Sequence, residues 1–177
     1  MGPVWIDIPL DIQGANIEVS NEDFLPFPIQ RYISNFADLE KLLGESKKPL
    51  IVVGGGIRLS ETYGELNRLL INTGIPVVTG PHSGVDCVDN TLKNYCGRVG
   101  ILGQLTSNKI VQECDLLISL GSRLPVKMTG YNISEFSPNS KKVVVDIDQN
   151  EINKHKFKID LSYCKDLKDF FRSFHPP

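Results

Sequence analysis

The sequence lacks the features of a membrane-spanning or secreted protein. None of its apolar runs approaches the roughly 20 residues that a membrane-spanning helix needs, and no basic start followed by an apolar core marks a signal peptide. The four cysteines include no Cys-x-x-Cys pair, and a disulfide framework is not expected without a secretory signal. The three histidines are scattered, which gives a zinc site little support. We therefore expect a cytoplasmic protein whose cysteines are plain thiols.

The sequence also lacks catalytic signatures and a strong charge of either sign. No Gly-x-Ser-x-Gly occurs, and His82 is adjacent to Ser83, a spacing that rarely presents both groups to one atom. Hydrophobic residues make up 41% and charged residues 23% of the 177 residues, which is typical of a globular protein. The formal net charge of −2 gives no reason to expect a nucleic acid or a membrane as a partner.

Two short apolar runs that end on glycine are the most informative feature present. Residues 49–53 lead into Gly54, Gly55 and Gly56, and residues 116–120 lead into Gly121. Such runs are typical of central parallel strands, which are buried on both faces. Glycine lets the chain turn sharply there and lets a ligand approach the backbone. In a doubly wound sheet the ligand lies at the carboxyl ends of the strands, so these glycines predict the ligand edge.

The pattern along the chain alternates between strands and helices, which predicts a parallel sheet with right-handed crossovers. The fold class that we expect is α/β, a three-layer α/β/α domain with about six mainly parallel strands, whose order reverses near residues 54–56. Residues 2–9 have the pattern of an extended strand, residues 10–35 that of a linker, and residues 80–103 and 121–140 that of loops. Strands are predicted at 50–53, 75–79, 116–120, 142–147 and near 157–161, and helices at 34–46, 60–73, 106–113, 150–154 and 165–174.

The glycine loop at 54–56 has two interpretations of equal weight. Its N–H groups open a helix and could face a phosphate, or the glycines could merely permit a tight turn. A nicotinamide-binding fingerprint is absent, because Leu59 occupies the third glycine position and the next strand ends at Gly80 without an acidic residue. A Walker loop is absent too, since no Gly-Lys-Ser/Thr follows.

Charged residues follow two of the predicted strands. Asp146 and Asp148 could accept hydrogen bonds from a ribose or an adenine, or could cap the next helical turn, and the local sequence favours capping. Arg123 could bind a phosphate, pair with one of those carboxylates or form another structural ion pair.

Taken in order, the motifs resemble thiamine diphosphate-dependent enzymes of the acetolactate synthase type, and most of all their large subunits. Each motif is weak by itself, but their order and spacing along the whole chain are specific. The motifs are Gly2-Pro3-Val4 with Asp7-Ile8-Pro9, then Gly54-Gly55-Gly56, Gly74-Ile75-Pro76-Val77-Val78-Thr79, Gln112-Glu113-Cys114-Asp115-Leu116-Leu117-Ile118 with Gly121 and Arg123, Thr129-Gly130, and Val145-Asp146-Ile147-Asp148 with Glu151-Ile152.

The resemblance implies that this chain is the central domain of a larger enzyme, with a Rossmann-like fold of the DHS-like nucleotide-binding type. It implies that residues 1–9 are a remnant of a preceding pyrimidine-binding domain, that 10–35 are a linker, and that 36–177 are the central domain. We expect the chain to be a piece excised from a lyase or transferase that acts on 2-keto acids. Residues 2–9 would then pair across a dimer or lie along the surface of the domain.

The cofactor chemistry of that family lies in its other two domains, which bind thiamine diphosphate and Mg²⁺. The resemblance therefore implies that this chain alone is inactive, and that its partners are the remaining domains of a homo-oligomeric enzyme. It places a nucleotide, FAD or an ADP-like one, along these residues: Gly54, Gly55, Gly56, Gly121, Arg123, Asp146 and Asp148.

Three departures from the flavin-binding pattern of the family count against FAD. Gly103-Gln104-Leu105-Thr106 stands where the family has Gly-x-His-Gly, and residues 123–127 lack the two acidic residues of the family's arginine run. Lys165-Asp166 replaces a Gly-Asp, and a lysine there could crowd an adenine. The alternative function is a free-standing FAD-binding or NAD-binding module without catalysis.

Overall fold

The computed structural model of the chain describes residues 5–18, 20 and 35–174. The chain divides into two compact units, Met1–Tyr32 and Ile33–Pro177. In the first unit the described residues form a short helix, α1 (Leu10–Gln13), where the linker was predicted to have none. Part of the strand predicted at residues 2–9 lies outside the described residues, and residues 5–9 form no strand.

The second unit contains a six-stranded sheet in which every strand pair is parallel. Its spatial order is β3-β2-β1-β4-β5-β6. The strands are β1 (Pro49–Val53), β2 (Val77–Thr79), β3 (Tyr95–Arg98), β4 (Leu116–Leu120), β5 (Lys141–Asp146) and β6 (Leu161–Cys164).

The order of the sheet reverses between its two central strands. From β1 the chain adds β2 and then β3 on one side, and it crosses back to place β4 against the other side of β1. Val53, the last residue of β1, stands opposite Thr79 on one side and Leu120 on the other. The reversal of strand order predicted near residues 54–56 is therefore confirmed. Loops that leave neighbouring strands in opposite directions at such a point open a crevice at the carboxyl edge.

Helices cover both faces of the sheet, which confirms the predicted three-layer α/β/α architecture. None of the helices among the described residues is long and apolar enough to cross a bilayer. They are α2 (Ala37–Glu45), α3 (Gly56–Leu59), α4 (Tyr63–Thr73), α5 (Leu105–Glu113), α6 (Val126–Thr129), α7 (Gln149–Asn153) and α8 (Leu167–Ser173), with 3-10 turns at Val85–Cys87 and Ile133–Glu135.

The alternating side chains of each central strand enter two separate cores, which explains why these strands are apolar at nearly every position. On one face, Ile51 and Ile118 pack with residues of α4 and α8, including Leu66 and Phe170. On the other face, Leu50, Val52 and Leu117 pack with residues of α5 and α6. All four cysteines lie in this unit as free thiols, two of them buried and two half-buried.

Several predicted element boundaries were wrong. The helix predicted at 60–73 begins only at Tyr63, because Glu61 adopts a positive φ of 56° and the Ser60 hydroxyl bonds the Thr62 hydroxyl at 2.8 Å instead of capping a helix. The short helix α3 before it was not predicted. Strand β3 lies inside the region predicted as a loop, and Gly97 with its φ of 92° hides its strand pattern. The last strand lies at Leu161–Cys164, later than the predicted 157–161.

Candidate functional site

A cavity of about 570 Å³ lies at the carboxyl edge of the sheet, where β1, β4 and β5 end. Such a volume is within the range of small-molecule sites in proteins. Of the seven residues predicted for a nucleotide site, all but Gly54 line it. The lining residues are Gly55, Gly56, Leu59, Ser60, Ser83, Gly121, Arg123, Pro125, Asp146, Ile147, Asp148, Glu151, Lys165, Asp166 and Leu167.

Three of the predicted glycines are required by contact between two loops of the protein itself. A Cβ on Gly54 would lie 2.2 Å from the carbonyl oxygen of Gly121, and one on Gly56 would lie 2.6 Å from the Gly121 Cα. Gly121 has a φ of +58°, and a Cβ there would lie 2.7 Å from the Gly56 Cα. Because no side chain fits at these distances, the loops after β1 and β4 can meet only if all three residues are glycine.

The backbone N–H groups of the same three glycines are already used inside the protein. Gly54 N donates to the carbonyl oxygen of Leu120 at 3.0 Å, and Gly56 N donates to that of Gly121 at 3.0 Å. Gly121 N donates to the carbonyl oxygen of Val145 at 2.9 Å. These three N–H groups are therefore not free to bind a phosphate, and the geometry favours the tight-turn interpretation of the loop.

Gly55 differs from its two neighbours because it faces open space at the cavity. A Cβ on Gly55 would meet the Arg58 guanidinium at 3.7 Å and the Ser83 Cβ at 3.8 Å, both ordinary van der Waals distances. Its φ of −66° is one that any residue adopts. A Cβ could therefore be placed here without disturbing the backbone, at a position in the cavity wall.

The two carboxylates after β5 are engaged in local hydrogen bonds. Asp146 Oδ1 accepts a hydrogen bond from Asp148 N at 3.0 Å, and Asp148 Oδ1 accepts one from Asn150 N at 2.8 Å. Asp148 is thus the N-cap of α7, so the capping role that the local sequence favoured is confirmed. Oδ2 of each carboxylate accepts no hydrogen bond from a described residue and is available at the cavity wall.

Arg123 pairs with a residue that the sequence did not suggest as its partner. Its Nε lies 3.5 Å from Glu151 Oε1, and its side chain is 76% exposed. Neither Asp146 nor Asp148 is its partner. Exposed ion pairs contribute little stability, so the guanidinium can leave Glu151 at small cost for a ligand anion.

Lys165 is a second basic residue of the cavity wall. The residue is buried, and its Nζ lies 5.4 Å from the centre of the Phe36 ring. Its backbone N donates to the carbonyl oxygen of Asp146 at 2.9 Å. The next residue, Asp166, caps α8 through a bond from Lys168 N to its Oδ1 at 2.7 Å. The lysine noted as a departure from the flavin-binding pattern thus belongs to the wall of this cavity.

The departure at Gly103–Thr106 lies away from the cavity. In the segment Gly103–Thr106, Gln104 Oε1 accepts a hydrogen bond from Arg98 N at 2.6 Å. A Cβ on Gly103 would lie 2.4 Å from the carbonyl oxygen of Arg98. This segment therefore fastens the end of β3, and none of its residues lines the cavity.

Ser83 is a wall residue that sequence reasoning missed. It reaches the cavity because the following residue, Gly84, has a φ of +77° and approaches β1 so closely that a Cβ would lie 2.5 Å from the carbonyl oxygen of Val53. A glycine after His82-Ser83 is the one signal in the sequence, and it does not reveal which strand the loop touches. Among the described residues no group of three or more His, Cys, Asp or Glu side chains could hold a metal ion.

Comparison with known proteins places this geometry in a family. Residues 36–174 match the family of the thiamine pyrophosphate enzyme central domain. The acetolactate synthase large subunit of Corynebacterium glutamicum is 34% identical over 160 residues, which cover 88% of this chain and 25% of that protein. The probable acetolactate synthase large subunit of Methanocaldococcus jannaschii is 33% identical over 97% of this chain and 30% of its own length.

A third relative gives the same result. The acetolactate synthase isozyme 2 large subunit of Escherichia coli is 33% identical over 86% of this chain and 28% of its own length. The chain thus spans between 25% and 30% of the length of these three relatives. The alternative of a free-standing FAD-binding or NAD-binding module receives no support from these comparisons.

Proposed function

Since the chain belongs to the thiamine pyrophosphate enzyme central-domain family, we propose that it is part of a longer acetolactate synthase-like enzyme that acts on 2-keto acids. In this proposal residues 1–9 end a pyrimidine-binding domain, 10–35 connect it, and 36–177 form the central domain. The partners are the remaining domains of a cytoplasmic homo-oligomer. The observation that carries the proposal is the family match over 36–174, combined with relatives that are three to four times longer.

The proposal assigns the chemistry to the domains that flank this one. A thiamine enzyme needs a site for the diphosphate and its metal ion, and this sequence contains no Gly-Asp-Gly motif. Thiamine diphosphate, the same molecule as thiamine pyrophosphate, and Mg²⁺ would be held by the other domains. The chain alone would catalyse nothing, and its sheet, packed on both faces, would hold the catalytic domains at a fixed distance.

We further propose that the carboxyl-edge cavity binds an ADP-like nucleotide. The Oδ2 atoms of Asp146 and Asp148, which accept no hydrogen bond from a described residue, would accept hydrogen bonds from ribose hydroxyls, and Arg123 would provide positive charge for the diphosphate. FAD is the weaker candidate, because the segment Gly103–Thr106 does not reach the cavity and Lys165 belongs to the wall where the flavin-binding pattern has a glycine.

Calorimetric titration of ADP into the 177-residue chain tests the nucleotide proposal. The variant Gly55→Leu places a side chain in the cavity without backbone strain, and we expect it to weaken ADP binding by about tenfold or more, which corresponds to roughly 1.4 kcal/mol. Gly44→Leu is the matched control, since a Cβ at Gly44 meets nothing within 4 Å. Absence of saturable ADP binding, or equal affinity in both variants, would contradict the proposal. A parallel titration with FAD should give weaker binding than ADP.

A further inference from the structure

A second cavity, of about 470 Å³, lies at the opposite edge of the sheet. Lys141, the first residue of β5, and Asp160, which precedes β6, belong to its wall. Asp146, at the other end of β5, lines the carboxyl-edge cavity. At a rise of about 3.3 Å per residue the two ends of β5 are separated by roughly 17 Å. The amino-edge cavity is therefore a separate site.

The wall of the amino-edge cavity carries more positive than negative charge. Four lysines line it against one carboxylate, that of Asp160: Lys141, Lys142, Lys156 and Lys158. Asp160 Oδ1 lies 2.8 Å from Lys158 Nζ and 3.4 Å from Lys141 Nζ. Lys142 and Lys156 form no ion pair with any residue that the structure describes. The cavity therefore has two lysines whose ammonium groups form no close ion pair with a described carboxylate, although Asp160 acts on Lys142 from a longer distance.

Lys142 is the more informative of the two because it is buried, with 6% of the residue exposed. Its Nζ donates to the carbonyl oxygens of Ser137 at 2.8 Å and Ser140 at 3.3 Å. An ammonium group has three N–H donors, so the third lacks an acceptor among the described residues. Burial lowers the pKa of Lys142. A buried ammonium with no described carboxylate in direct contact is costly, and an anion in the cavity would offset that cost.

Aromatic rings form the apolar part of the same cavity. The rings of Phe136 and Phe157 lie 5.8 Å apart, and His155 stacks on Phe157 at 4.6 Å. Lys142 Nζ lies 5.8 Å from the centre of the Phe157 ring. A cationic group beside an aromatic surface suits a molecule that has an acidic end and an apolar body.

We propose that the amino-edge cavity binds a small organic anion, with its phosphate or carboxylate at Lys142 and Lys156 and its apolar body against Phe136 and Phe157. The charge-assisted hydrogen bonds of the acidic group would supply most of the affinity. This site is independent of the nucleotide site at the other edge.

Titration of phenyl phosphate into the ¹⁵N-labelled chain, followed by NMR, tests this proposal. We expect saturable shifts confined to residues 133–142 and 155–160, and weaker binding of inorganic phosphate and of phenol, because each probe lacks one half of the ligand. Benzoate in place of phenyl phosphate reports whether the site prefers a carboxylate to a phosphate. Shifts confined to the carboxyl edge, or no saturation with phenyl phosphate or benzoate, would overturn the proposal.

Substitutions of single lysines show which ammonium groups bind the anion. Lys156→Gln should weaken phenyl phosphate binding about tenfold, the usual effect of losing a hydrogen bond to a charged group. Lys142→Met should also weaken it and should keep the fold, because an apolar side chain replaces a buried charge. Lys41→Gln makes the same change of charge at an exposed site on α2 and should leave the affinity unchanged. Equal affinities in all three variants and the wild type would contradict the proposal.

Discussion

Three consecutive glycines follow β1, and each has a different environment. Gly54 and Gly56 lie against the backbone of residues 121–122, whereas Gly55 lies at the cavity with room for a side chain. The sequence indicates that a turn occurs here, because an apolar strand ends on glycine. It does not indicate which glycine faces a ligand, since that depends on the loop after β4, which is more than 60 residues away along the chain.

Alanine substitutions at Gly55 and Gly56 should separate these environments. Gly56→Ala forces a Cβ to 2.6 Å from the Gly121 Cα, and backbone overlap of this kind costs about 1–3 kcal/mol or more of unfolding free energy. Gly55→Ala should change stability by less than about 1 kcal/mol, and the reduced freedom of the unfolded chain favours a small gain. Urea denaturation of the two variants measures the difference, and coincident midpoints would refute the assigned packing.

At the scale of secondary structure, the side chain of Asp115 connects the start of β4 to the turn between α2 and β1 through hydrogen bonds. Its carboxylate accepts hydrogen bonds from Lys47 N at 2.8 Å, from Lys48 N at 3.0 Å and from the Ser46 hydroxyl. Partial burial raises the pKa of Asp115, but these hydrogen bonds outweigh that effect and hold the pKa below its ordinary value. One side chain thus fixes the amino ends of the two central strands relative to each other.

The stability that Asp115 provides should depend on pH. Because its pKa is lowered in the folded state, the contribution is complete above the unfolded value of about 3.9 and is lost as the pH falls through the folded value. We expect Asp115→Asn to lower the unfolding free energy by about 1–3 kcal/mol at pH 7, and the gap to the wild type to close below about pH 4.

The matched control is Glu65→Gln, which removes an exposed ion pair to Arg68 and should cost less than about 1 kcal/mol. Denaturant titrations of the wild type and both variants at several pH values provide the measurement. A gap between wild type and Asp115→Asn that persists unchanged at pH 3 would show that the lowered pKa is not the cause.

The elements that could be predicted from the sequence are those buried on both faces. Strands β1 and β4 show nearly continuous apolar runs because helices cover both sides of the sheet there. The edge strand β3 is only partly buried and contains a glycine of positive φ, so its short polar sequence resembles a loop. The start of α4 was predicted three residues too early because it depends on the backbone of Glu61, which local periodicity does not reveal.

At the scale of the whole molecule, weak motifs in a fixed order identified the family where no single motif could. The predicted resemblance to thiamine diphosphate enzymes of the acetolactate synthase type is confirmed by relatives at 33% and 34% identity. The topology also predicted the position of the carboxyl-edge cavity, since ligand sites in doubly wound sheets occur where the strand order reverses. The amino-edge cavity could not be predicted, because its lysines belong to separate segments and the burial of Lys142 arises only on folding.

We propose that this chain is a supporting domain and that the thiamine cofactor is held by other domains of a longer enzyme. Calorimetric titration of thiamine diphosphate with Mg²⁺, into the 177-residue chain and into the longer enzyme to which the proposal assigns it, tests this assignment. We expect saturable micromolar binding to the longer enzyme and none to the chain. Micromolar binding of thiamine diphosphate to the chain alone would overturn the proposal.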